Sequence, residues 1–459
     1  MLIKDIVIVG GGTSGWMAAA SLLKQIQHVH ITLVDKAEAD SIGVGEATIL
    51  DFAPFIWHQC GFTDECFEYC DGVKKSGISF PGWGPDGKEV WHPFFFNWLI
   101  EDPNYSPLLL DGWSRLQDQL DIRDTMLGYE PESRHGYHID CSKLVQYIKS
   151  KIEDKITYIQ STVAGIDRDD KGIKSLLLDK GDIIKGDLFV DCTGFKSLLK
   201  ENHDRVDLSH RLYVDTAAVC PVPYKDKDSE LHTYTIAESV DDGWVWKTPL
   251  QSRIGSGLVF NRSVTDPEKA KKAYCEYWDH RITVDQVKII DWTPYYDINQ
   301  WDQNVVSIGL SAGFLEPLES TGVALICQGC IELIENLRAR CYNKDNIDSF
   351  NVRMRQLYES SIDFVNMHYS KSYKDTPFWN YVRENYVGSE RLGLYEYNLN
   401  SQEPSIPAEP GNFIGGANWL HLLVQFGYPM QSKDFVYEEH LNGLKALVEH
   451  NQLHKGESS

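Results

Sequence analysis

Ile6-Val7-Ile8-Val9-Gly10-Gly11-Gly12-Thr13-Ser14-Gly15-Trp16-Met17-Ala18-Ala19-Ala20-Ser21-Leu22-Leu23 is the stretch from which the fold is read. Four consecutive β-branched residues predict a strand buried on both faces, and the alanine- and leucine-rich run after Gly15 predicts a helix. Between them lies a G-x-G-x-x-G turn made by Gly10, Gly12 and Gly15, with Thr13 and Ser14 inside it. The first glycine permits the tight turn, the second lets backbone approach a pyrophosphate, and the third lets the helix pack close to the strand. Amides at the helix start then face the anion, aided by the helix dipole. A second strand, His30 to Asp35, completes a βαβ unit, and Asp35 ends it where a ribose hydroxyl meets a carboxylate. A dinucleotide is the expected ligand. This stretch alone does not separate a flavin from a nicotinamide.

Working outward, Leu188-Phe189-Val190-Asp191 and Val305-Val306-Ser307-Ile308 are further apolar strands ending in polar or glycine turns, Gly194 and Gly309. A helix is predicted from about Thr321 to Leu337. These read as later strands of one parallel sheet, separated by long insertions that hold many of the aromatics and build something else. At 459 residues, and roughly 150 residues per domain, two or three units are expected. The reading assigns 1–50, 140–200 and 300–340 to a discontinuous nucleotide-binding module, and 51–139, 201–299 and 341–459 to a second module. No internal period suggests a solenoid. Pro404, Pro407 and Pro410 predict an irregular connection before a last helical stretch.

With 44 basic and 67 acidic residues the net charge is −23, which repels nucleic-acid phosphates and anionic headgroups, so neither nucleic acid nor membrane is an expected partner. No apolar run reaches the roughly 18 residues that a bilayer span needs. Met1-Leu2-Ile3-Lys4-Asp5 leads into a strand rather than an apolar leader, and ten scattered cysteines make no dense disulfide framework. A cytoplasmic protein with reduced thiols is expected, with homo-oligomerisation left open. Cys327-Gln328-Gly329-Cys330 falls within a helix and has no second pair; Cys60, Cys66 and Cys70 near His58 have irregular ligand spacing. No metal is expected.

Four further stretches change the reading. Gly243-Trp244-Val245-Trp246-Lys247-Thr248-Pro249 is similar to a W-x-W-x-I-P signature, with Thr248 in place of isoleucine. Phe314-Leu315-Glu316-Pro317-Leu318-Glu319-Ser320-Thr321-Gly322 contains an unbroken P-L-E-S-T-G element. Lys75-Ser76-Gly77-Ile78-Ser79-Phe80-Pro81-Gly82-Trp83 and Gly43-Val44-Gly45-Glu46-Ala47-Thr48 accompany them. Together these resemble the flavin-dependent halogenases of the tryptophan halogenase type over most of the chain. The resemblance implies an α/β fold: a Rossmann-like FAD-binding module, GR2-type and flavin monooxygenase-like, with an interleaved, largely helical substrate module. It implies that FADH2 from a separate flavin reductase, oxygen and a halide ion (chloride, bromide or iodide) give hypohalous acid, which passes to a lysine and on to an aromatic ring.

The resemblance implies roles position by position. Lys75 becomes the catalytic lysine, register selecting it over Lys74; without the family it reads as a solvated surface residue. Glu319 becomes the carboxylate that stabilises the ring cation, orients the oxidant and takes the ring proton; its plain reading is a carboxylate at a helix N-terminus. The backbone amides of Thr321 and Gly322 become the halide site, with Ser320 beside them, against the plain reading that Ser320 or Thr321 caps the helix. Gly45, Glu46 and Ala47, with Gly309, join the flavin side. Trp244, Trp246 and Pro249 form a barrier between flavin and lysine, and both indoles of a strand pair point to one face; core packing is the plain alternative. His92 and Phe94, ahead of Phe95, Phe96 and Trp98, resemble the histidine and aromatic element beside the substrate, where ring faces sandwich a flat molecule; a half-buried structural histidine fits equally. Tyr137-His138-Ile139-Asp140 also resembles a family segment and is given no role. Tyr395, Glu396 and Tyr397 do not align onto a tryptophan-binding pattern. An electron-rich ring of indole or phenol type is therefore expected in place of free tryptophan. Two other functions remain open at this point: an FAD-dependent aromatic monooxygenase, and an inactive flavin-binding scaffold.

Overall fold

A computed structural model describes residues 3–36, 45–94, 135–338, 341–400 and 414–429. Gly43, Val44, Phe95, Phe96, Trp98 and the 401–412 connection lie outside the described residues.

β1 (Asp5–Val9) is an inner strand of a six-stranded sheet, beside β2 (His30–Asp35). The order is Trp301–Asp302, Val305–Ser307, Leu188–Asp191, β1, β2, Thr157–Gln160, parallel except at the Trp301 edge. Strand alternation sends Ile6 and Ile8 into the main core, while Val7 and Val9 pack with Ile173, Leu176 and Phe189. Both faces of β1 are thus covered, which is why its apolar run has no gaps. α1 (Thr13–Gln25) shares the main core with helices Cys141–Ile152 and Thr321–Leu337. From β1 the chain crosses through α1 to β2 on one side, and Leu188–Asp191 later pairs with the other side of β1, so a crevice opens at the carboxyl ends of the strands.

The second module differs from the expectation of a largely helical body. Its insertions build a seven-stranded sheet in the order Lys288–Asp291, Thr216–Val219, Ile254–Phe260, Gly243–Pro249, Thr235–Val240, Gly77–Phe80, Val90–Pro93. Helices Lys344–His368, Pro377–Asn385, Glu390–Leu399 and Gly416–Gln425 follow in the C-terminal part, and helix Pro267–Tyr277 lies within the second insertion. Ile254–Phe260 is buried throughout; its Ile-Gly-Ser-Gly-Leu-Val-Phe sequence therefore lacks the apolar–polar alternation that marks a half-buried strand. A three-stranded sheet joins the two regions: Glu46–Ala47 and Val73–Lys75 both pair with Gly136–Ile139, setting Lys75 opposite Gly136 and Glu46 opposite Ile139.

Candidate active site

The crevice is a cleft of about 600 Å³ lined by Gly10, Gly12, Thr13, Ser14, Asp35, Glu46 and Gly309, together with Thr321 and Gly322. Its glycines do different things. Gly10 has φ +108°, and a Cβ there would stand 2.2 Å from the Cys192 carbonyl oxygen. A Cβ on Gly15 would meet the Gly10 carbonyl oxygen at 1.8 Å, so Gly15 serves helix-on-strand packing and lies off the cleft surface. A Cβ on Gly12 would meet nothing within 4 Å, so this residue faces open space where a pyrophosphate needs room. Gly11 falls between the glycines of the sequence pattern, yet its amide donates to Asp35 Oδ1 at 3.0 Å and a Cβ would collide with that carboxylate. Burial raises the Asp35 carboxyl, and the Gly11 amide opposes the shift. Glu46 accepts from the Cys141 amide at 3.1 Å, and burial pushes its carboxyl up to about 7. Two expected flavin-side residues do not line the cleft: Gly45, with φ +85°, packs on Leu250 and Gly255, and Ala47 pairs with His138. The cradle, the open approach at Gly12 and the carboxylate ending β2 fit a dinucleotide such as FAD.

Lys75 is completely buried, whereas Lys74, one step along the same strand, is exposed. Its Nζ donates to Ser320 Oγ at 2.8 Å and lies 4.8 Å from the Phe94 ring centroid. Burial lowers its pKa to about 7, with Glu319 pulling the other way. Among the described residues Lys75 is in no ion pair.

Glu319 (φ 63°) and Ser320 (φ 59°) are consecutive left-handed residues, an arrangement that costs on the order of 1–2 kcal/mol per residue. The kink divides the segment between two environments. Glu316 lines the cleft, Ser320 meets Lys75, Glu319 meets two histidines, and Thr321 and Gly322 line the cleft again. Ser320 occupies the N-cap of helix Thr321–Leu337 but makes no side-chain capping bond, its hydroxyl being engaged by Lys75. The plain capping role for the Ser320 side chain is thereby overturned.

Glu319 Oε2 meets His92 Nδ1 and its Oε1 meets His368 Nε2, each at 2.8 Å. Burial pushes the carboxyl up, but the two histidines outweigh it and hold the group well below the usual carboxylate range. His368 Nδ1 faces the Phe364 carbonyl oxygen at 2.9 Å. A carbonyl only accepts, so that nitrogen donates, and a second proton must lie in the contact between Nε2 and Glu319. His368 ends helix Lys344–His368. The sequence reading missed it because no local pattern marks a histidine whose partner lies 49 residues away.

Trp244 and Trp246 lie on one face of their strand, both buried, with ring centroids 6.4 Å apart. A Cβ on Gly257 would stand 2.1 Å from the Trp246 ring, so the facing strand makes room for that indole. Trp244 Nε1 donates to Tyr369 Oη at 3.0 Å, and Tyr369 Oη donates to Glu316 Oε1 at 2.7 Å. The Pro249 carbonyl meets His138 Nδ1 at 3.0 Å. Cys327 and Cys330 are buried free thiols, and among the described residues no group of three or more His, Cys, Asp or Glu side chains is placed to hold a metal.

The sequence profile of the tryptophan halogenase family matches residues 5–439. Tryptophan 7-halogenase RebH of Lentzea aerocolonigenes is 28% identical over 93% of this chain and 90% of its own. Tryptophan 6-halogenase ThaL of Streptomyces albogriseolus is 28% identical over 83% of this chain and 79% of its own. Among solved structures, BrvH, a flavin-dependent halogenase from Brevundimonas sp. BAL3, superposes with a TM-score of 0.80 at 27% identity, covering 98% of this chain and 96% of that one.

Proposed function

The chain belongs to the tryptophan halogenase family, an FAD-dependent enzyme family, and we propose that it halogenates an electron-rich aromatic of indole or phenol type through Lys75. When bound, FAD supplied in reduced form by a separate reductase provides, with oxygen, the oxidising equivalents that turn chloride, bromide or iodide into hypohalous acid. Gly10 to Ser14 and Asp35 hold the nucleotide, Gly12 giving the pyrophosphate its approach. The amides of Thr321 and Gly322, at a helix start whose N-cap side chain is otherwise engaged, hold the halide. Lys75 presents the electrophilic halogen to the ring, while Glu319, braced by His92 and His368, takes the ring proton. Trp244 and Trp246 close the space between.

One observation carries this reading: a wholly buried lysine whose nitrogen meets a hydroxyl and a ring face rather than a carboxylate. Such burial is costly, and it suits a group that must work partly as a neutral amine. The partition into 1–50, 140–200 and 300–340 against the remainder is part of this proposal, with Glu319 and Ser320 of the 300–340 segment reaching across to Lys75, His92 and His368. Free thiols at all ten cysteines fit a reducing cytoplasm, and no helix among the described residues is long and apolar enough to cross a membrane.

The test is a panel of indoles and phenols with each halide, a flavin reductase and product mass as readout. Halogenated product from the wild type and none from Lys75→Ala, with FAD binding retained, is expected. Oxygenated product without halide would establish the monooxygenase instead, and no turnover with any combination would leave a flavin-binding scaffold.

A further inference from the structure

The proposed reaction consumes one proton in the cleft per turnover. In balance, FADH2 + O2 + X⁻ + H⁺ gives FAD + HOX + H2O, the reduced cofactor and the halide each losing two electrons to oxygen. Ring substitution, ArH + HOX giving ArX + H2O, needs no further proton. We propose that Glu316 is the acid that delivers this proton, aimed by the Trp244–Tyr369 pair; the inference rests on the function proposed above.

The Trp244 indole N–H can only donate, and it donates to Tyr369 Oη. The phenol proton is thereby committed to Glu316 Oε1. Glu316 is 1% exposed and lines the cleft. Its second oxygen, Oε2, has no hydrogen-bond partner among the described residues. An ionised carboxylate would leave that oxygen buried and unsatisfied. A neutral acid protonated at Oε2 buries no charge and presents an O–H not held by another side chain, while Oε1 stays satisfied by Tyr369. Burial pushes the carboxyl up to about 8, although the Tyr369 hydrogen bond pulls the other way. Asp35, Lys36, Glu46, Lys196 and Tyr358, with the thiols of Cys141 and Cys192, share the cleft, and none is hydrogen-bonded to Glu316. Thr321 and Gly322, the residues assigned to the halide, line the same cleft. The O–H bond at Oε2 would break as the oxygen atom that ends as water takes the proton, and the carboxylate would be reprotonated from water entering the cleft. The barrier tryptophan thus does more than fill space, because it fixes the rotor that orients the acid.

Glu316→Gln keeps the shape and the acceptor for Tyr369 but has no acidic proton. It is expected to bind FAD as the wild type does and to form hypohalous acid about 100-fold more slowly. The wild-type rate is expected to fall as pH rises through about 8, and Glu316→Gln should lack that fall. Infrared spectra of the protein without cofactor give a readout independent of turnover: a carboxylic-acid C=O band lost in Glu316→Gln and fading in the wild type above about pH 8. In Tyr369→Phe the band should persist to higher pH, because the bond favouring the ionised form is gone. No such band, or Glu316→Gln with the rate and pH profile of the wild type, overturns the proposal. A wild type that yields no halogenated product with any halide overturns the underlying reading instead, whatever the infrared band shows.

Discussion

At the residue scale, the site rests on two groups pushed in opposite senses, Lys75 away from its charged form and Glu319 further into it. Lys75 has its pKa lowered from 10.5 to about 7 by burial, so between those values the unfolded chain binds more protons there than the folded one. Stability therefore rises with pH across that window. Lys75→Met removes the penalty: it should be more stable than the wild type near pH 6, with the difference shrinking toward pH 10 in thermal melts, while halogenation falls about 100-fold or more. Glu319 is the opposite case, its carboxyl held below the ordinary value of 4.5 by His92 and His368. Its contribution to stability is present above that ordinary value and is lost as pH falls through the depressed one. Acid titration of the melting temperature should therefore be flatter for Glu319→Gln than for the wild type. Lys75 and Glu319 were legible as residues. The pair of histidines around Glu319 was only half legible, because His92 sits beside a recognisable aromatic run whereas His368 arrives from a helix with no motif of its own.

At the scale of the element, the start of helix Thr321–Leu337 does the sorting. Its N-cap serine is turned into the left-handed region and hydrogen-bonds a lysine 245 residues away. A Cβ on Gly322 would meet nothing within 4 Å, and its φ is not positive. Gly322→Ala is therefore expected to raise stability by up to about 1 kcal/mol through helix propensity. Because Gly322 lines the cleft, the added methyl should raise the halide KM, most for iodide; unchanged halide kinetics would remove these amides from the halide site. The dinucleotide turn makes a matching contrast. Gly12→Ala places its methyl in open cleft and should fold normally but bind FAD poorly, whereas Gly15→Ala drives a methyl into the Gly10 carbonyl and should lower the melting temperature sharply. The boundaries of helix Thr321–Leu337 and of β2 were readable because each has a strong local signal, an apolar run bounded by polar or glycine residues.

For the whole molecule, FAD binding and folding are linked, since the cleft is assembled from β1, β2, the Leu188 strand and the Thr321 helix at once. FAD at about 100 times its Kd should stabilise the wild type by about 2.7 kcal/mol; thermal melts with and without FAD check this, and Gly12→Ala should show little shift. The βαβ unit and the apolar strands that join its sheet were legible in the sequence, because turn chemistry and apolar runs are local properties, whereas Lys75, Glu319 and the tryptophan pair were singled out by the resemblance of their segments to the halogenase family. The seven-stranded sheet largely escaped that reading: its strand Ile254–Phe260, buried throughout, carries no two-residue period. Only the tertiary structure decided that Ser320 serves a lysine rather than a helix cap, that His368 completes the clamp on Glu319, and that Trp244 reaches Glu316 through Tyr369. Each of these is a contact between side chains far apart in the chain, chosen by packing and by the need to satisfy buried polar atoms, and no local stretch of sequence encodes which distant partner will arrive.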